Sequence, residues 1–198
     1  MKSNSPVLQV GAWLFRFRGL IPVPLLAVAI ALTEPLSVLT GFGVGLILVG
    51  NIIRVWGVSH IGPSSRSRTV NATKLTYTGP YELTRNPLYV ANIIMFSGVG
   101  MGTGNLVFFT ICFVIFCVYF HFIVRFEEQF LEARLGEIYR SYRNRVPRWI
   151  GEAAPVHAAA PKVNLDDRMR SAFQSERSTF AASGAIIALL LIRAVTSG

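Results

Sequence analysis

The sequence predicts an all-α integral membrane protein with about five transmembrane helices, and two observations support this fold class. Of its 198 residues, 52% are hydrophobic and only 15% are charged, which is too apolar for an ordinary soluble domain. The apolar residues also fall into separate segments bounded by polar or turn-forming residues. The five segments are residues 19–33, 36–57, 88–103, 106–124 and 179–192.

The segments differ in how well their lengths suit a membrane crossing. Residues 106–124 come closest to the roughly 20 apolar residues that a transmembrane helix needs. Residues 19–33, 88–103 and 179–192 are shorter. We therefore expect their helices to tilt, to extend through interfacial turns, or to be shielded by neighbouring helices.

The basic residues indicate the orientation. If all five segments cross, every Lys and Arg except Arg193 falls on one side of the membrane. Because basic residues concentrate in cytoplasmic loops, the N-terminus is predicted to lie in the cytoplasm. This topology accounts for the net charge of +9. A nucleic-acid surface, which such an excess would suggest in a soluble protein, is therefore not predicted.

Turn-forming residues divide the chain into four parts. Glu34-Pro35 separates the first two segments, and residues 102–105 separate the third from the fourth. The composition of residues 127–144 predicts a helix that ends before Pro147. The parts are a transmembrane hairpin (1–60), a core of two transmembrane helices and a cytoplasmic helix (61–150), an Ala/Pro linker with an amphipathic lead-in (151–178), and a C-terminal transmembrane helix (179–198).

The glycines of residues 41–50, GFGVGLILVG, do not form a nucleotide-binding loop. Leu46 stands where the third glycine of GxGxxG belongs, and no strand precedes the run. Gly41 and Gly45 lie at i,i+4 within an apolar segment, a spacing typical of close contact between membrane helices. We expect the same of Gly98 and Gly102.

The two cysteines lie within the fourth apolar segment. Cys112 and Cys117 are predicted to be small hydrophobic core residues, neither a disulfide pair nor metal ligands. No residue spacing in the sequence is typical of a metal site, and none is predicted.

The stretch TGPYELTRNPLYVAN, residues 78–92, is more polar than the entrance to an apolar segment requires. Pro80 and Pro87 bias the residues before them away from helix, so backbone N–H and C=O groups stay free. Irregular backbone at membrane depth is tolerated where it is buried in protein or lines a cavity. The stretch is therefore predicted to form the wall of a ligand pocket.

A second polar group ends the fourth segment: His121, Arg125, Glu127 and Glu128. Adjacent residues on a helix point about 100° apart, so one carboxylate is expected to face a pocket while its neighbour meets water or Arg125. Charges near the bilayer core are costly and often functional. The alternative for His121 is a simple helix-packing role.

A third polar group lies on the helix predicted after the fourth segment. Tyr139 and Tyr142 are at i,i+3, and Tyr139 and Arg143 are at i,i+4, so aromatic rings and a cation share one face. Arg148 follows beyond Pro147. The alternative is that Arg85 and Arg143 are cytoplasmic anchors and that the tyrosines belong to an interfacial belt.

The two motifs resemble those of a known family. GPYELTRNPLYVAN, followed after two segments by EEQFLEARLGEIYRSYRNRVPR, is similar to the isoprenylcysteine carboxyl methyltransferases and the related phospholipid methyltransferases. The resemblance covers residues 76–149, while residues 1–60 match only in topology. The linker and fifth segment resemble an extension of bacterial members, which implies a multi-pass protein of the bacterial inner membrane.

The resemblance implies that the two motifs enclose S-adenosylmethionine in a pocket on the cytoplasmic side. It assigns the adenosyl side to the first motif, the amino end of the methionine moiety to Glu127 or Glu128, and the closing face to the helix after them. The residues expected to contact the cofactor are Tyr81, Arg85, Asn86, Pro87, Leu88, Tyr89, His121, Glu127, Glu128, Tyr139 and Tyr142.

The sequence departs from the family pattern at three positions. Asn86 replaces the usual His, and Asn forms hydrogen bonds but cannot take a proton. Leu135 replaces the Phe before Gly136. Ile123 stands one turn before Glu127, where some members carry a second Arg that is expected to recognise a carboxylate.

The function that the resemblance implies is methyl transfer to a lipid-like acceptor from the bilayer, most closely the carboxylate of a prenylated cysteine. The alternative is phosphatidylethanolamine N-methylation, in which the amine must lose a proton. We expect catalytic roles, either orienting a carboxylate or accepting a proton, for Arg125, Glu127, Glu128 and Arg143. A non-enzymatic transporter or scaffold is an alternative of another class, although transporters more often contain repeated halves.

Overall fold

The computed structural model describes residues 6–61, 75–151 and 165–197, and these ranges contain helices but no strand. This confirms the all-α class. The predicted Ala/Pro linker lies largely outside the described residues. The helices are α1 (Pro6–Arg16), α2 (Pro22–Ala31), α3 (Val38–Ile61), a short 3-10 helix (Gly79–Glu82), α4 (Pro87–Gly102), α5 (Leu106–Leu135), α6 (Glu137–Arg145) and α7 (Leu165–Thr196).

Three of the described helices are long and apolar enough to cross a membrane: α3, α5 and the part of α7 from Asp166 to Thr196. They confirm a membrane protein. Helices α2 and α4 are apolar but have 10 and 16 residues, fewer than the roughly 20 of an independent crossing. Five crossings and a cytoplasmic N-terminus stay predictions.

Two of the tight turns meet. The Glu34 N–H donates to the Thr103 carbonyl over 2.8 Å, and the Asn105 side-chain amide donates to the Glu34 carboxylate over 2.9 Å. Asn105 also caps α5, because its side-chain oxygen accepts a hydrogen bond from the Phe108 N–H over 3.0 Å. These bonds tie the turn before α3 to the turn between α4 and α5.

Helix α5 continues past the predicted end of the fourth segment at residue 124. It stops at Leu135 because Gly136 adopts a positive φ of 55°, which favours glycine and ends the helix. The helix predicted over residues 127–144 is therefore two elements, the last turns of α5 and the separate helix α6. Helix α6 ends at Arg145, shortly before Pro147, as predicted.

The close contact between α3 and α4 uses glycines, but only two of the predicted ones. A Cβ on Gly43 would collide with the backbone of Gly102 and lie 2.6 Å from the Gly98 carbonyl oxygen. The space beside Gly41 and Gly45 is open, so their predicted role is wrong. They lie two residues on either side of Gly43, which turns them about 200° away from this contact.

The charged first half of α7 packs on α3. Ala172 is buried against Val55 and Val58, and the Arg168 guanidinium donates to the Ser59 carbonyl over 2.9 Å. No break separates the predicted lead-in from the predicted C-terminal crossing, because α7 is one continuous helix. The amphipathic lead-in is thus the packed start of that helix.

Candidate active site

Glu128 joins the two sequence motifs. Arg85, from the first motif, donates to one carboxylate oxygen of Glu128 through Nε over 3.0 Å. Arg148 donates to the other oxygen through Nε and a terminal nitrogen, over 3.0 and 2.8 Å. The side chains of Arg85 and Glu128 are 8% and 7% exposed. Glu128 is therefore a buried acid held between two guanidinium groups.

The segment before α4 donates hydrogen bonds to backbone carbonyls of the chain around Pro147. The Arg85 N–H donates to the Pro147 carbonyl over 2.9 Å, and the Thr84 hydroxyl donates to the Arg148 carbonyl over 3.0 Å. The Asn86 amide donates to that carbonyl over 3.1 Å and to Glu128 over 3.2 Å. The Arg85 N–H, a backbone group of the kind that Pro87 was expected to leave free, is thus used between the two motifs.

The Arg85 guanidinium also reaches α6. Its NH1 nitrogen donates to the carbonyls of Arg143 and Val146 over 2.9 Å each. These carbonyls lie at the C-terminal end of α6, where they lack partners within the helix. Arg85 therefore both neutralises Glu128 and caps the C-terminal end of α6.

Glu127 faces a different neighbourhood, as the predicted 100° separation requires. Its carboxylate lies within electrostatic range of Tyr89 on α4 and of Arg18. Arg18, from the turn after α1, places its guanidinium 4.1 Å from the centre of the Phe15 ring. The Tyr89 ring lies 5.3 Å from that of Phe120. Glu127 therefore borders an aromatic wall.

Three tyrosines surround the junction of the motifs. The Tyr142 hydroxyl donates to the Tyr81 carbonyl over 2.7 Å. The Tyr139 hydroxyl is buried with no hydrogen-bond partner among the described residues, although Glu128, Arg85 and Arg148 all act on it electrostatically. Burial is the main cause that raises the pKa of all three phenols well above 10. They stay protonated donors in any ordinary buffer.

The remaining predicted site residues lie at the edges of this arrangement. Pro87 is buried at the start of α4, Leu88 packs where a Cβ on Gly57 would be 2.6 Å from it, and His121 is partly exposed. Arg125 is exposed. Arg143 forms an ion pair with Glu132 over 2.6 Å and is 41% exposed. The structure does not bring the side chains of these two arginines into the Glu128 cluster.

Sequence reasoning missed two basic residues at the site. Arg148 was placed in the third polar group without a role, and Arg18 was counted only as a cytoplasmic basic residue. Arg148 follows a proline and lies outside any helix, so no periodicity relates it to Glu128. Arg18 is far from both motifs in sequence. The arginine absent at Ile123 was a signal that the cation near Glu127 comes from elsewhere.

Residues 38–139, just over half of the chain, match the family model described as phospholipid methyltransferase. The matched range runs from the start of α3 to Tyr139 in α6. It includes the first motif and the Glu127-Glu128 doublet but neither Arg18 nor Arg148. No solved structure matches the chain.

Two curated relatives are similar to the chain. The cobalt-zinc-cadmium resistance protein CzcN of Cupriavidus metallidurans is 31% identical over 143 residues, which cover 68% of this chain and 62% of the relative. The nickel-cobalt-cadmium resistance protein NccN of Alcaligenes xylosoxydans xylosoxydans is 31% identical over 105 residues, covering 53% and 45%. The chain thus spans less than two thirds of either relative.

Proposed function

Because the chain belongs to the phospholipid methyltransferase family, we propose that it transfers a methyl group from S-adenosylmethionine to a lipid-like acceptor held in the membrane. The observation that supports this best is that the two adjacent acids have different surroundings. Glu128 is saturated by Arg85 and Arg148, which fixes the two motifs together. Glu127 is thereby left as the acid available to a ligand.

The residues at the junction suit S-adenosylmethionine, which supplies an electrophilic methyl group on a sulfonium when bound. Glu127 offers a carboxylate for the ammonium of the methionine moiety, and Arg18, which lies near Glu127, offers a cation for the carboxylate of that moiety. The Tyr139 hydroxyl, which has no hydrogen-bond partner among the described residues, is a buried donor for a polar group of the adenosine. Buried donors without partners are uncommon in native proteins, and a ligand would satisfy this one.

Asn86 positions the start of α4. Its side-chain amide donates to Glu128 and to the Arg148 carbonyl, so it fixes the chain there and does not act as a base. Holding donor and acceptor in line supplies much of the rate in such a displacement. The aromatic side chains near Glu127 keep water away from the reacting groups.

We propose the carboxylate of a prenylated cysteine as the acceptor. A carboxylate already carries its negative charge and needs only an orienting cation. Exposed Arg125, on α5 next to the acid doublet, is the candidate for that role, and Arg143 is the second. An isoprenoid chain would reach the site from the bilayer. We place the site at the cytoplasmic face of a bacterial inner membrane, because nearly all basic residues fall on one predicted side.

The second candidate function is N-methylation of a phospholipid amine. It is favoured by one observation, the position of Glu127 near Tyr89 and outside the two arginine pairs that hold Glu128. An amine must lose a proton before or during transfer, and Glu127 is a carboxylate that could accept it. Asn86 cannot accept it.

The proposal is tested on the full chain purified in detergent. A thermal melt with S-adenosylhomocysteine at about 100 times its dissociation constant should show stabilisation of roughly 2.7 kcal/mol. Glu127→Gln should abolish this shift and keep the ligand-free melting temperature. Glu132→Gln changes an acid on the same helix whose ion pairs, in the described part of the chain, are with two surface arginines. It is the matched control and should retain the shift.

A labelled-methyl assay then identifies the acceptor. Prenylcysteine analogues and phosphatidylethanolamine are offered in separate reactions, and the product is treated with base. Label released as methanol indicates a methyl ester and a carboxylate acceptor, while label that resists base in the phospholipid indicates N-methylation. A flat melting curve with no labelled product would support the non-enzymatic transporter or scaffold instead.

A further inference from the structure

A buried ion pair ties α7 to α3. The Arg54 guanidinium donates to both carboxylate oxygens of Glu176, through Nε over 2.9 Å and a terminal nitrogen over 3.1 Å. The Glu176 side chain has no exposed surface, and that of Arg54 is 15% exposed. Charges inside membrane-spanning helices are costly unless they are paired. A parallel, two-bond contact of this kind fixes orientation as well as charge.

The same guanidinium extends to the first motif. Its remaining terminal nitrogen donates to the side-chain oxygen of Asn92 over 2.6 Å. Asn92 is the last residue of the stretch 78–92 and lies one turn after Leu88 and Tyr89 on α4. Glu176, Arg54 and Asn92 therefore form a continuous chain from α7 through α3 to the helix that carries Tyr89.

The packing beside this chain of contacts leads to the site. Gly57 lies one turn after Arg54 on α3, and a Cβ there would be 2.6 Å from Leu88 and 3.9 Å from the Tyr81 hydroxyl. Arg54 also acts electrostatically on Tyr81. The position of α3 relative to the start of α4 therefore determines where two residues of the candidate site, Tyr81 and Leu88, are held.

We propose that Glu176 is a positioning residue of the active site: through Arg54 and Asn92 it sets the register of α4 and so the position of Tyr89 relative to Glu127. This inference rests on the proposed function. Helix α7 lies beyond the residues that match the family model, which end at 139. In this proposal α7 helps to position the active site of this chain, although α7 lies outside the family match.

The alternative is that the ion pair only holds the bundle together. The polar contact between the Asn51 amide and the Ser183 hydroxyl, 3.1 Å long, also joins α3 to α7 but does not reach α4. Ser183→Ala is therefore the matched control. It should lower the melting temperature and leave ligand affinity unchanged.

The experiment measures the dissociation constant of S-adenosylhomocysteine by calorimetry, well below the melting temperature of each variant. Glu176→Gln should weaken binding at least tenfold. Asn92→Ala, which leaves the Arg54–Glu176 pair intact and so preserves the fold, should weaken it severalfold. An unchanged constant in both variants would overturn the inference, as would an equal loss in Ser183→Ala.

A double-mutant cycle separates positioning from general loosening. If Glu176 acts through α4, the effect of Glu176→Gln should shrink when Tyr89 is already changed to Phe, whereas independent effects multiply. Multiplying effects would overturn the inference. Failure of the wild-type chain to bind S-adenosylhomocysteine would overturn the proposed function and this inference together. Wild-type binding with an unaffected Glu176→Gln variant would overturn only the inference.

Discussion

The guanidinium of Arg85 and the carboxylate of Glu128 meet at 3.0 Å across 43 residues of sequence, and Arg148 closes the other side of the same acid. The pair joins the segment before α4, the end of α5 and the chain after α6. Each of these elements contributes a charged group that would lack a partner if the other two elements were absent. Glu128 is therefore the residue on which the arrangement of the two motifs depends.

Glu128→Gln should be strongly destabilising. The change leaves two guanidinium groups without their shared anion, and breaking a buried ion pair by removing one partner typically costs about 3–5 kcal/mol. The apparent free energy of unfolding in detergent, measured by denaturant or thermal titration, checks this. Glu132→Gln changes a more exposed pair and should cost no more than about 1 kcal/mol. Similar losses in the two variants would contradict the central position of Glu128.

Arg18→Gln should weaken cofactor binding. Arg18 acts on Glu127 and Tyr89, so its guanidinium lies beside the acid proposed to bind the ammonium, and it is proposed to bind the carboxylate of the same methionine moiety. We expect the affinity for S-adenosylhomocysteine to fall about tenfold, or roughly 1.4 kcal/mol. Arg16→Gln is the control, because Arg16 is exposed and its guanidinium lies 5.7 Å from the Phe17 ring. Equal effects of both changes would indicate a general charge effect.

Gly43→Ala should destabilise the contact between α3 and α4. The new methyl group would meet the backbone of Gly102 and the Gly98 carbonyl, and backbone cannot move aside as a flexible side chain can. Overpacking of this kind costs about 1–3 kcal/mol. Gly41→Ala has open space and should leave the melting temperature unchanged or slightly raised. A tolerated Gly43→Ala would show that the two helices can separate at little cost.

Several features of the fold could be predicted from composition and from the positions of proline and glycine. The proline-marked and glycine-marked turns at residues 34–35 and 102–105, and the end of α6 before Pro147, all lie near where local chemistry indicated them. The divergence of Glu127 and Glu128 also follows from helix geometry alone.

The pairing of charges could not be predicted in the same way. Arg54 and Glu176 are separated by 122 residues, and each fits an ordinary expectation, a cytoplasmic anchor and part of a charged lead-in. The choice between Gly41 and Gly43 as the contact residue likewise depends on which face of α3 meets α4. The apolar residues of α3 lie on all of its faces, so its sequence contains no strong amphipathic pattern that would identify the face that meets α4.

Tyr142→Phe and Tyr139→Phe form a matched pair, since both hydroxyls are buried in the same cluster. Tyr142→Phe removes the 2.7 Å bond to the Tyr81 carbonyl and leaves a buried acceptor unsatisfied, which costs about 1–3 kcal/mol. Tyr139→Phe removes a hydroxyl that has no partner in the described part of the chain, so stability should stay level or rise. If that hydroxyl serves the cofactor, Tyr139→Phe should nevertheless weaken S-adenosylhomocysteine binding severalfold. Stability and affinity therefore move differently in this variant. A Tyr139→Phe protein that is more stable and binds the ligand as well as the wild type would remove Tyr139 from the proposed site while leaving the role of Glu127 intact.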